Sequence, residues 1–369
     1  MSPQNKNRAA IYASNKSPTL IIQDAPYPTA GPGEVVIRVA AAAINPVDRT
    51  IQDAGTDIFP FLTYPLTGGL DVSGTVVASG DDDPSSSSSS SSSPASAFRP
   101  GDRVLAFTPD FVSRAGAFQH YVVAPSSTTS HLPDSLSFVD AAVLPSAVAT
   151  AAVSLYQYLG LDTPSPSLTT TPSGPAKKKG ETVLITAGAS SVGSNAIQLA
   201  VASGYDVLTT SSPKNFAHCE ALGASRVFDY GAPDLASQIR SAVKGTRLAG
   251  AVSCVPGSNA LVFEVVADSG SEGSKSVACT ILPPALQGSV PEGIKAEMIH
   301  AYWIKDTALA ATIYASFLPA ALAAGTYKCV PRPRVVGHGL EAVQTAFDIG
   351  KTGAVSCEKL VVVLEGEEA

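Results

Sequence analysis

The glycine-rich stretch at 188–193 constrains the fold of this chain more than any other feature. It reads Gly188-Ala189-Ser190-Ser191-Val192-Gly193, which is GxGxxG spacing with a serine at the middle glycine. An apolar run at 182–187 precedes it, and apolar residues at helical spacing follow at 192–202. A strand, a tight turn at Gly188 and a helix packed closely at Gly193 would bring backbone N–H groups to a pyrophosphate. The pattern favours a dinucleotide-binding loop, with a purely structural turn as the alternative.

The rest of the chain predicts two kinds of sheet. After the loop, strands and helices alternate, which is typical of a doubly wound parallel sheet of the Rossmann type. The predicted strands there are 206–210, 226–228, 249–254 and 276–281, with a helix at 216–222. Before about residue 140, short strands separated by turn residues favour a small β-barrel. These are 33–40, 70–78, 102–107 and 117–123, and a last strand at 359–364 is expected to rejoin them. The fold class is therefore α/β with an added barrel.

The predicted division of the chain follows from these patterns. Residues 1–145 and 326–369 form the barrel domain, and residues 146–325 form the dinucleotide-binding domain. The segment 81–99 contains nine consecutive serines, which cannot bury apolar surface, so we predict a disordered loop. The Pro-, Ser- and Thr-rich segment 161–180 is predicted to be a flexible insertion.

Composition excludes several classes of function. The net charge is −7 and basic residues form no stripe, which argues against a nucleic-acid partner. The alanine-rich stretches 141–160 and 307–324 contain Pro, Ser, Thr or Gln, and we expect buried helices there, not membrane spans. Five cysteines without a CxxC pair, and no apolar leader at the N-terminus, predict reduced thiols in a cytoplasmic protein.

The end of the second alternating strand indicates which nucleotide binds. NAD sites usually place an Asp or Glu there to bind the ribose 2′-hydroxyl, and residues 208–215 contain neither. Hydroxyl groups and an ammonium suit a 2′-phosphate instead. The residues predicted to surround it are Ser211, Ser212, Lys214 and Asn215. NADPH is therefore the predicted cofactor, and the alternative is a polar loop with a solvated lysine.

The chain resembles the medium-chain dehydrogenase/reductase superfamily from about residue 8 to residue 366. The motifs that carry the resemblance include Asn45-Pro46-Val47-Asp48, Leu70-Asp71-Val72-Ser73-Gly74, Pro100-Gly101-Asp102-Arg103-Val104 and Leu222-Gly223-Ala224-Ser225. It implies a GroES-like catalytic domain and a Rossmann domain with the nicotinamide between them. Within the superfamily the chain is similar to fungal reductases called zinc-binding dehydrogenases, quinone oxidoreductases and trans-acting enoyl reductases.

The resemblance also implies that no metal is bound. Zinc-dependent members have a cysteine at the position of Asn45 and a His-Glu pair at the position of Leu70-Asp71. Their structural cysteines would fall near 80–115, where this chain has none. Because catalytic zinc needs three protein ligands, we expect a metal-free site.

The same resemblance assigns roles near the nicotinamide. Asn45 would donate to a substrate oxygen and Thr150 to the cofactor carboxamide, or Thr150 is a hydroxyl used in helix packing. Asp48 lies in the same motif and is alternatively a helix N-cap. Relatives often have a lysine at the position of Thr50, so the proton donor stays open between side chains, water and the cofactor's ribose hydroxyl.

Four further positions are expected near the cofactor. Tyr230 would lie against the 2′-phosphate edge of the adenosine, or it packs as an ordinary aromatic residue. Cys254, Val255 and Leu282 follow predicted strands at the carboxyl edge of the sheet, where ligands bind in this fold. We interpret Cys254 as a packing residue and not as a nucleophile.

These expectations combine into a functional hypothesis. Without zinc to polarise a carbonyl group, hydride transfer to an activated alkene or a quinone is less demanding, because hydrogen bonds can stabilise the enolate. The chain is predicted to reduce an enone, an enoyl thioester or a quinone with NADPH, as a monomer or homodimer acting on a small molecule. One alternative is a metal-free carbonyl reductase or alcohol dehydrogenase. Another is a cofactor-binding partner subunit of a biosynthetic complex, with little activity of its own.

Overall fold

The computed structural model describes residues 6–80, 98–165, 179–270, 273–282, 288 and 290–364. The chain divides into two compact units, Met1–Ser146 with Lys305–Ala369, and Ala147–Ile304. Most of the loop predicted to be disordered (81–99) and of the predicted insertion (161–180) lies outside the described residues.

The strands, in chain order, are β1 (Asn7–Tyr12), β2 (Ile21–Ala25), β3 (Glu34–Ala43), β4 (Leu66–Thr67), β5 (Asp71–Ser79), β6 (Arg103–Phe107), β7 (Tyr121–Pro125), β8 (Thr129–His131), β9 (Glu181–Ile185), β10 (Asp206–Ser211), β11 (Arg226–Asp229), β12 (Arg247–Ser253), β13 (Ser276–Cys279), β14 (Lys295–Met298), β15 (Arg332–His338) and β16 (Glu358–Val363).

The α-helices are α1 (Pro46–Ala54), α2 (Phe138–Ala141), α3 (Pro145–Ala152), α4 (Ser191–Ala202), α5 (Phe216–Ala221), α6 (Leu235–Val243), α7 (Asn259–Ala267), α8 (Ala308–Ala310), α9 (Leu318–Ala323) and α10 (Ala342–Lys351). A π-helical stretch, Val153–Tyr158, extends α3, and another, Ala311–Phe317, joins α8 to α9. Short 3₁₀ turns lie at Gly55–Asp57, Ser113–Ala115, Ser126–Thr128, Pro213–Asn215, Pro256–Ser258 and Ala301–Ile304.

The first unit is built on a large sheet with the order β15-β16-β3-β5-β6-β8, and β7 also pairs with β3. A three-stranded sheet, β2-β1-β4, accompanies it. Alternating residues of β3, including Val35, Ile37 and Val39, are buried in one core. The C-terminal strand β16 pairs antiparallel with β3. The expectation that the end of the chain rejoins the N-terminal sheet is therefore confirmed.

The second unit is a parallel six-stranded sheet with the order β11-β10-β9-β12-β13-β14. This confirms the doubly wound Rossmann sheet. The strand order reverses between β9 and β12, and in such sheets ligands bind at the carboxyl edge beside that reversal. The glycine-rich loop follows β9 and therefore lies at this edge.

The structure differs from the sequence interpretation in two respects. The sequence patterns did not reveal β1, β2, β4, β8, β14 and β15. Of these, β2, β14 and β15 are strands at sheet edges with partly exposed, irregular burial patterns. The division at residue 326 also differs, because the compact first unit already includes residues from Lys305 onward. The stretch Ala311–Phe317 packs against β8, and the Tyr314 hydroxyl donates to the carbonyl of Pro145 at 2.6 Å.

The apolar helical stretch Phe138–Tyr158 is long enough to cross a membrane. Most of it is buried inside the protein, however, with 78% of its most apolar window covered. This is the burial expected of a core helix, as the sequence predicted for 141–160.

Candidate functional site

Three neighbouring strands of the first unit bring polar side chains to one end of its sheet. In the pairing of β3 with β5, Ala43 lies opposite Asp71, and in its pairing with β16 the same Ala43 lies opposite Val361. Side chains two residues apart share a face of a strand. Asn45, two residues after Ala43, and Lys359, two before Val361, are therefore directed to the same face as Asp71.

The carboxylate of Asp71 is the centre of this cluster and is fully buried. One of its oxygens accepts from Lys359 Nζ at 2.5 Å, from Ser146 Oγ at 2.8 Å and from Asn45 Nδ2 at 3.0 Å. The other accepts from the Ser146 backbone N–H at 2.6 Å. Lys359 is 4% exposed and also donates to the Val143 carbonyl at 3.3 Å. We call Asn45, Asp71, Ser146 and Lys359 the Asp71 cluster.

Only Asn45 of this cluster was predicted as a site residue. Asp71 was noted only as standing where zinc-dependent members have a glutamate, and Ser146 and Lys359 were missed. Lys359 is the second residue of an apolar strand, and a lysine so close to a strand end is normally solvated. Ser146 is an ordinary residue in the first turn of α3. The signal that could have found Lys359 is the antiparallel register of β16 on β3, which the sequence does not specify.

The beginning of α1 holds the other predicted residues of the first unit. Asn45 occupies the N-cap position in an extended conformation, and Pro46 is the first helical residue. The alternative that Asp48 is the N-cap is therefore wrong. Asp48 lies one turn inside the helix, and its Oδ2 accepts from the Asn45 backbone N–H at 2.7 Å.

Asp48 is buried next to the Asp71 cluster. Burial, and to a smaller extent the Asp71 carboxylate, raise the pKa of its carboxyl group to about 7, against the opposing effects of the Asn45 N–H, the Lys359 ammonium and the Gly69 backbone. Its Oδ1 has no hydrogen-bond partner among the described residues. The structure thus places a carboxyl group that titrates near neutral pH beside Asn45.

Thr50 and Thr150 are in different surroundings. The Thr50 hydroxyl donates to the Pro46 carbonyl of its own helix at 3.0 Å, so its proton is used within α1. Thr150 is half-buried on α3 in the second unit, and its carbonyl accepts from Ser154 Oγ at 2.7 Å. Their roles near the nicotinamide stay predictions.

The loop after β9 owes its shape to an unusual residue and two glycines. The turn itself is made by Ala187, whose φ of +51° is uncommon for a residue with a side chain. A Cβ at Gly188 would lie 2.4 Å from Thr209 Oγ1, and one at Gly193 would lie 2.2 Å from the Ala187 carbonyl oxygen. The tight turn expected at Gly188 therefore lies one residue earlier, and both glycines are required for close packing.

The start of α4 presents donors at this loop. Ser190 is the N-cap, and its hydroxyl accepts from the Gly193 N–H at 3.1 Å. The first backbone N–H groups of any helix, here from Ser191 and Val192, lack partners within the helix and favour an anion. The Ser191 hydroxyl is buried and has no partner within the described ranges. Ala189 completes the loop between Gly188 and Ser190.

The carboxyl end of β10 has the polar groups predicted for a 2′-phosphate. The buried Ser211 hydroxyl and the exposed Lys214 ammonium both lack hydrogen-bond partners in the described part of the chain. Ser212 Oγ accepts from Asn215 Nδ2 at 3.1 Å. Tyr230 is 65% exposed, and its N–H donates to the Ser211 carbonyl at 3.2 Å, which brings these side chains together.

An acidic residue that sequence reasoning missed lies beside them. In the parallel pairing of β10 with β11, Asp229 stands opposite Ser211. Its Oδ1 accepts from the Gly231 backbone N–H at 2.9 Å, so one carboxylate oxygen is used in its own turn. The sequence pattern indicated only the end of β10 as the place for an acid, and the neighbouring strand supplies one.

The residues that follow β12 and β13 differ in burial. Cys254 is buried, which raises the pKa of its thiol to about 12, and its N–H donates to Thr186 Oγ1 at 3.1 Å. Leu282 packs in the hydrophobic core of the unit. Val255 is 38% exposed. Of these three side chains, Val255 is the one that reaches the surface, and the other two could offer a ligand little more than backbone.

Comparison with known proteins supports the arrangement in both units. Residues 31–134 match the family model of the alcohol dehydrogenase GroES-like domain. The chain is 43% identical to the dehydrogenase azaJ of Aspergillus niger, over 97% of this chain and 99% of that protein. It is 36% identical to the trans-enoyl reductase himH of Aspergillus japonicus, over 91% of each. The solved quinone oxidoreductase of Coxiella burnetii has the same fold, with a TM-score of 0.68 and 24% identity over 98% of this chain and all of that one.

Proposed function

Since the chain belongs to the medium-chain dehydrogenase/reductase superfamily of oxidoreductases, we propose that it is a zinc-independent reductase that uses NADPH to reduce an activated alkene or a quinone. The alkene would be conjugated to a carbonyl group, as in an enone or an enoyl thioester. The observation that carries this proposal is the Asp71 cluster, in which a buried carboxylate and a buried ammonium hold the amide of Asn45.

Membership of the superfamily implies a nicotinamide dinucleotide, and the residues of the second unit support NADPH. The unpartnered Ser211 hydroxyl and Lys214 ammonium are the donor and the positive charge that a 2′-phosphate would need. Ser191 adds a second unpartnered hydroxyl at the start of α4, where the pyrophosphate would bind. Thr150 would contact the carboxamide, and Val255 would flank the ring.

The bound cofactor would supply a hydride to the β-carbon of the alkene. The electron pair of the double bond then moves toward the carbonyl, and negative charge develops on its oxygen. An Asn45 N–H would donate to that oxygen, as donors do in oxyanion holes. A proton from water or from the cofactor's ribose hydroxyl would add at the α-carbon and complete the reduction.

The charges of the Asp71 cluster support chemistry without zinc. The Lys359 ammonium already provides a positive charge at the Asp71 carboxylate, and the neighbouring Leu70 and Asn45 offer an apolar side chain and a neutral amide. Throughout the described ranges, no three His, Cys, Asp or Glu residues are grouped as metal ligands would be. The proposed reaction therefore relies on hydrogen bonds to stabilise the developing charge.

The test is transfer of deuterium from NADPH deuterated at the transferred position. A panel would contain an enone, an enoyl thioester of N-acetylcysteamine, a quinone and an aldehyde, each with and without a metal chelator. We expect deuterium at the β-carbon of the alkenes, or quinone reduction, with rates unchanged by the chelator. Reduction of the aldehyde alone would favour the carbonyl reductase. Thermal stabilisation by NADPH without turnover of any substrate would favour the partner subunit.

A further inference from the structure

We propose that Lys359 and Asp71 are positioning residues that determine which end of the Asn45 side-chain amide faces the substrate. The inference rests on the proposed function, in which Asn45 donates a hydrogen bond to the substrate oxygen. It assigns a purpose to the Lys359–Asp71 ion pair, the most deeply buried one among the described residues of the first unit.

The hydrogen bonds around Asp71 orient the amide. An ionised carboxylate only accepts hydrogen bonds, so the Asn45 group 3.0 Å from Asp71 Oδ2 is its NH₂. The amide oxygen then lies 3.0 Å from Ser146 Oγ, whose single hydroxyl proton is shared between this oxygen and Asp71 Oδ2. One amide hydrogen is used by Asp71, and the other has no partner among the residues that the structure describes. Asn45 is only half-buried, so this second N–H is available to a substrate.

This orientation requires Asp71 to stay ionised. A buried carboxylate without a compensating charge tends to take up a proton, and a protonated carboxyl group can donate as well as accept. The amide of Asn45 could then turn its oxygen toward Asp71. Its NH₂ group would move away from the position in which one hydrogen bonds Asp71 and the other is available to the substrate. The ammonium of Lys359, 2.5 Å from Asp71 Oδ2, keeps the negative charge in place.

Stability alone does not explain the pair. Lysine and aspartate are rarely buried completely, and well-packed apolar residues in place of a buried ion pair are often at least as stabilising. Lys359 is held in a strand whose next residues, Leu360, Val361 and Val362, are all buried and apolar. The effect of Lys359 on the orientation of the Asn45 amide, through Asp71, explains why a charged residue occupies this position.

The experiment separates folding from positioning. The variants are Lys359→Met, the double variant Asp71→Asn with Lys359→Met, and Lys359→Arg, with Lys351→Met as the control because Lys351 forms an exposed ion pair with Asp53 in the same unit. Denaturant unfolding, NADPH affinity, and kcat and KM for the enoyl thioester or quinone that the enzyme turns over are measured for each.

The single Lys359→Met variant should lose stability, because it leaves a buried carboxylate unpaired. The double variant removes both charges and should recover stability. The amide that it introduces at position 71 can bond either end of the Asn45 amide, so kcat should stay about 10²-fold lower, as for loss of an oxyanion donor. NADPH affinity should be unchanged, and Lys359→Arg should restore most of kcat. A double variant that recovers both stability and kcat would overturn the proposal.

A spectroscopic readout keeps the test independent of substrate. The side-chain amide signals of Asn45, assigned by their loss in Asn45→Ala, should show one hydrogen bonded to a carboxylate, and both signals should shift in Lys359→Met. Unchanged signals would overturn the positioning role. If Asn45→Ala itself leaves kcat unchanged, the proposed function fails at Asn45. If Asn45→Ala lowers kcat and the double variant does not, the positioning role alone fails.

Discussion

The two polar regions of this protein use their hydrogen-bonding groups in opposite ways. In the Asp71 cluster, four donors from three side chains and one backbone N–H converge on a single buried carboxylate. At the carboxyl edge of the second unit, the hydroxyls of Ser191 and Ser211 and the ammonium of Lys214 lack partners within the described chain. Apart from one Asn45 N–H, the first region uses these donors internally, whereas the second keeps its donors available.

This contrast indicates what each region is prepared for. A site that must hold one group in a single orientation gains from a saturated network, since every bond restricts the others. A site that must accept a large anionic ligand gains from donors that have no hydrogen-bond partner in the protein. No hydrogen bond within the protein then has to break when the ligand binds. We interpret the first region as the part of the protein that orients Asn45. We interpret the second region, the loop at 188–193 with residues 211–215, as the surface that binds the cofactor, and call it the binding edge.

The largest change should come from Asp48, the residue beside the first region whose Oδ1 is unpartnered among the described residues. Its pKa is raised from 3.8 to about 7 in the folded protein, so the folded state keeps a proton that the unfolded state loses between these values. The free energy of unfolding should therefore fall as pH rises through this window, by on the order of 4 kcal/mol, and then level off. Denaturant unfolding of the wild type and of Asp48→Asn at pH values below and above the window measures it.

The control is built into that pair of proteins, because the asparagine side chain of the variant does not titrate. Relative to the wild type, Asp48→Asn should gain stability as pH rises from about 4 to about 7. A stability difference that is the same at both ends of the range would show that Asp48 is not protonated in the folded state.

The next largest effect should come from the backbone of the loop at 188–193 in the binding edge. In Gly193→Ala the new Cβ would meet the Ala187 carbonyl oxygen at 2.2 Å, and backbone cannot move as a flexible side chain does. Overpacking of this kind costs about 1–3 kcal/mol. If the loop must recover its shape to bind, NADPH binding should be roughly 5- to 150-fold weaker. Gly257→Ala is the control, since a Cβ there meets nothing within 4 Å. Equal NADPH affinities for both variants would contradict the close packing of the loop.

A smaller effect separates the two nucleotides. Ser211→Ala and Lys214→Ala should each weaken NADPH binding by about fivefold, the equivalent of about 1 kcal/mol for a partly solvated charge or hydroxyl contact. NADH binding should stay the same, because NADH has no 2′-phosphate. If both nucleotides lose affinity equally, these side chains act on the shape of the loop and not on the phosphate.

Thr50 should give the weakest effect. Its hydroxyl donates to the Pro46 carbonyl, and such bonds within a helix add little to stability. Thr50→Val should therefore change kcat by less than about threefold, which corresponds to less than about 1 kcal/mol of transition-state stabilisation. A loss comparable to that in Asn45→Ala would show that Thr50 contacts the substrate.

The contrast between the two regions also explains what the sequence could and could not predict. The binding edge is local: the loop at 188–193 and the residues at 211–215 each lie within a few positions of one strand end, and GxGxxG spacing indicated both. The Asp71 cluster is built from residues 45, 71, 146 and 359. The pairing of β5, β3 and β16 brings 45, 71 and 359 together, and the start of α3 supplies 146. Sequence reasoning found Asn45 by resemblance but missed Lys359, because strand register determines that contact. It missed Asp229 for the same reason.

The decisive measurement is calorimetric titration of the wild-type protein with NADPH and with NADH. The unpartnered donors at Ser211 and Lys214 predict that NADPH binds at least about tenfold more tightly, which is about 1.4 kcal/mol. The margin should shrink at high salt, since charge contributes to it. Equal or tighter binding of NADH would show that these donors do not hold a 2′-phosphate, and would indicate that Asp229 binds the ribose hydroxyl instead.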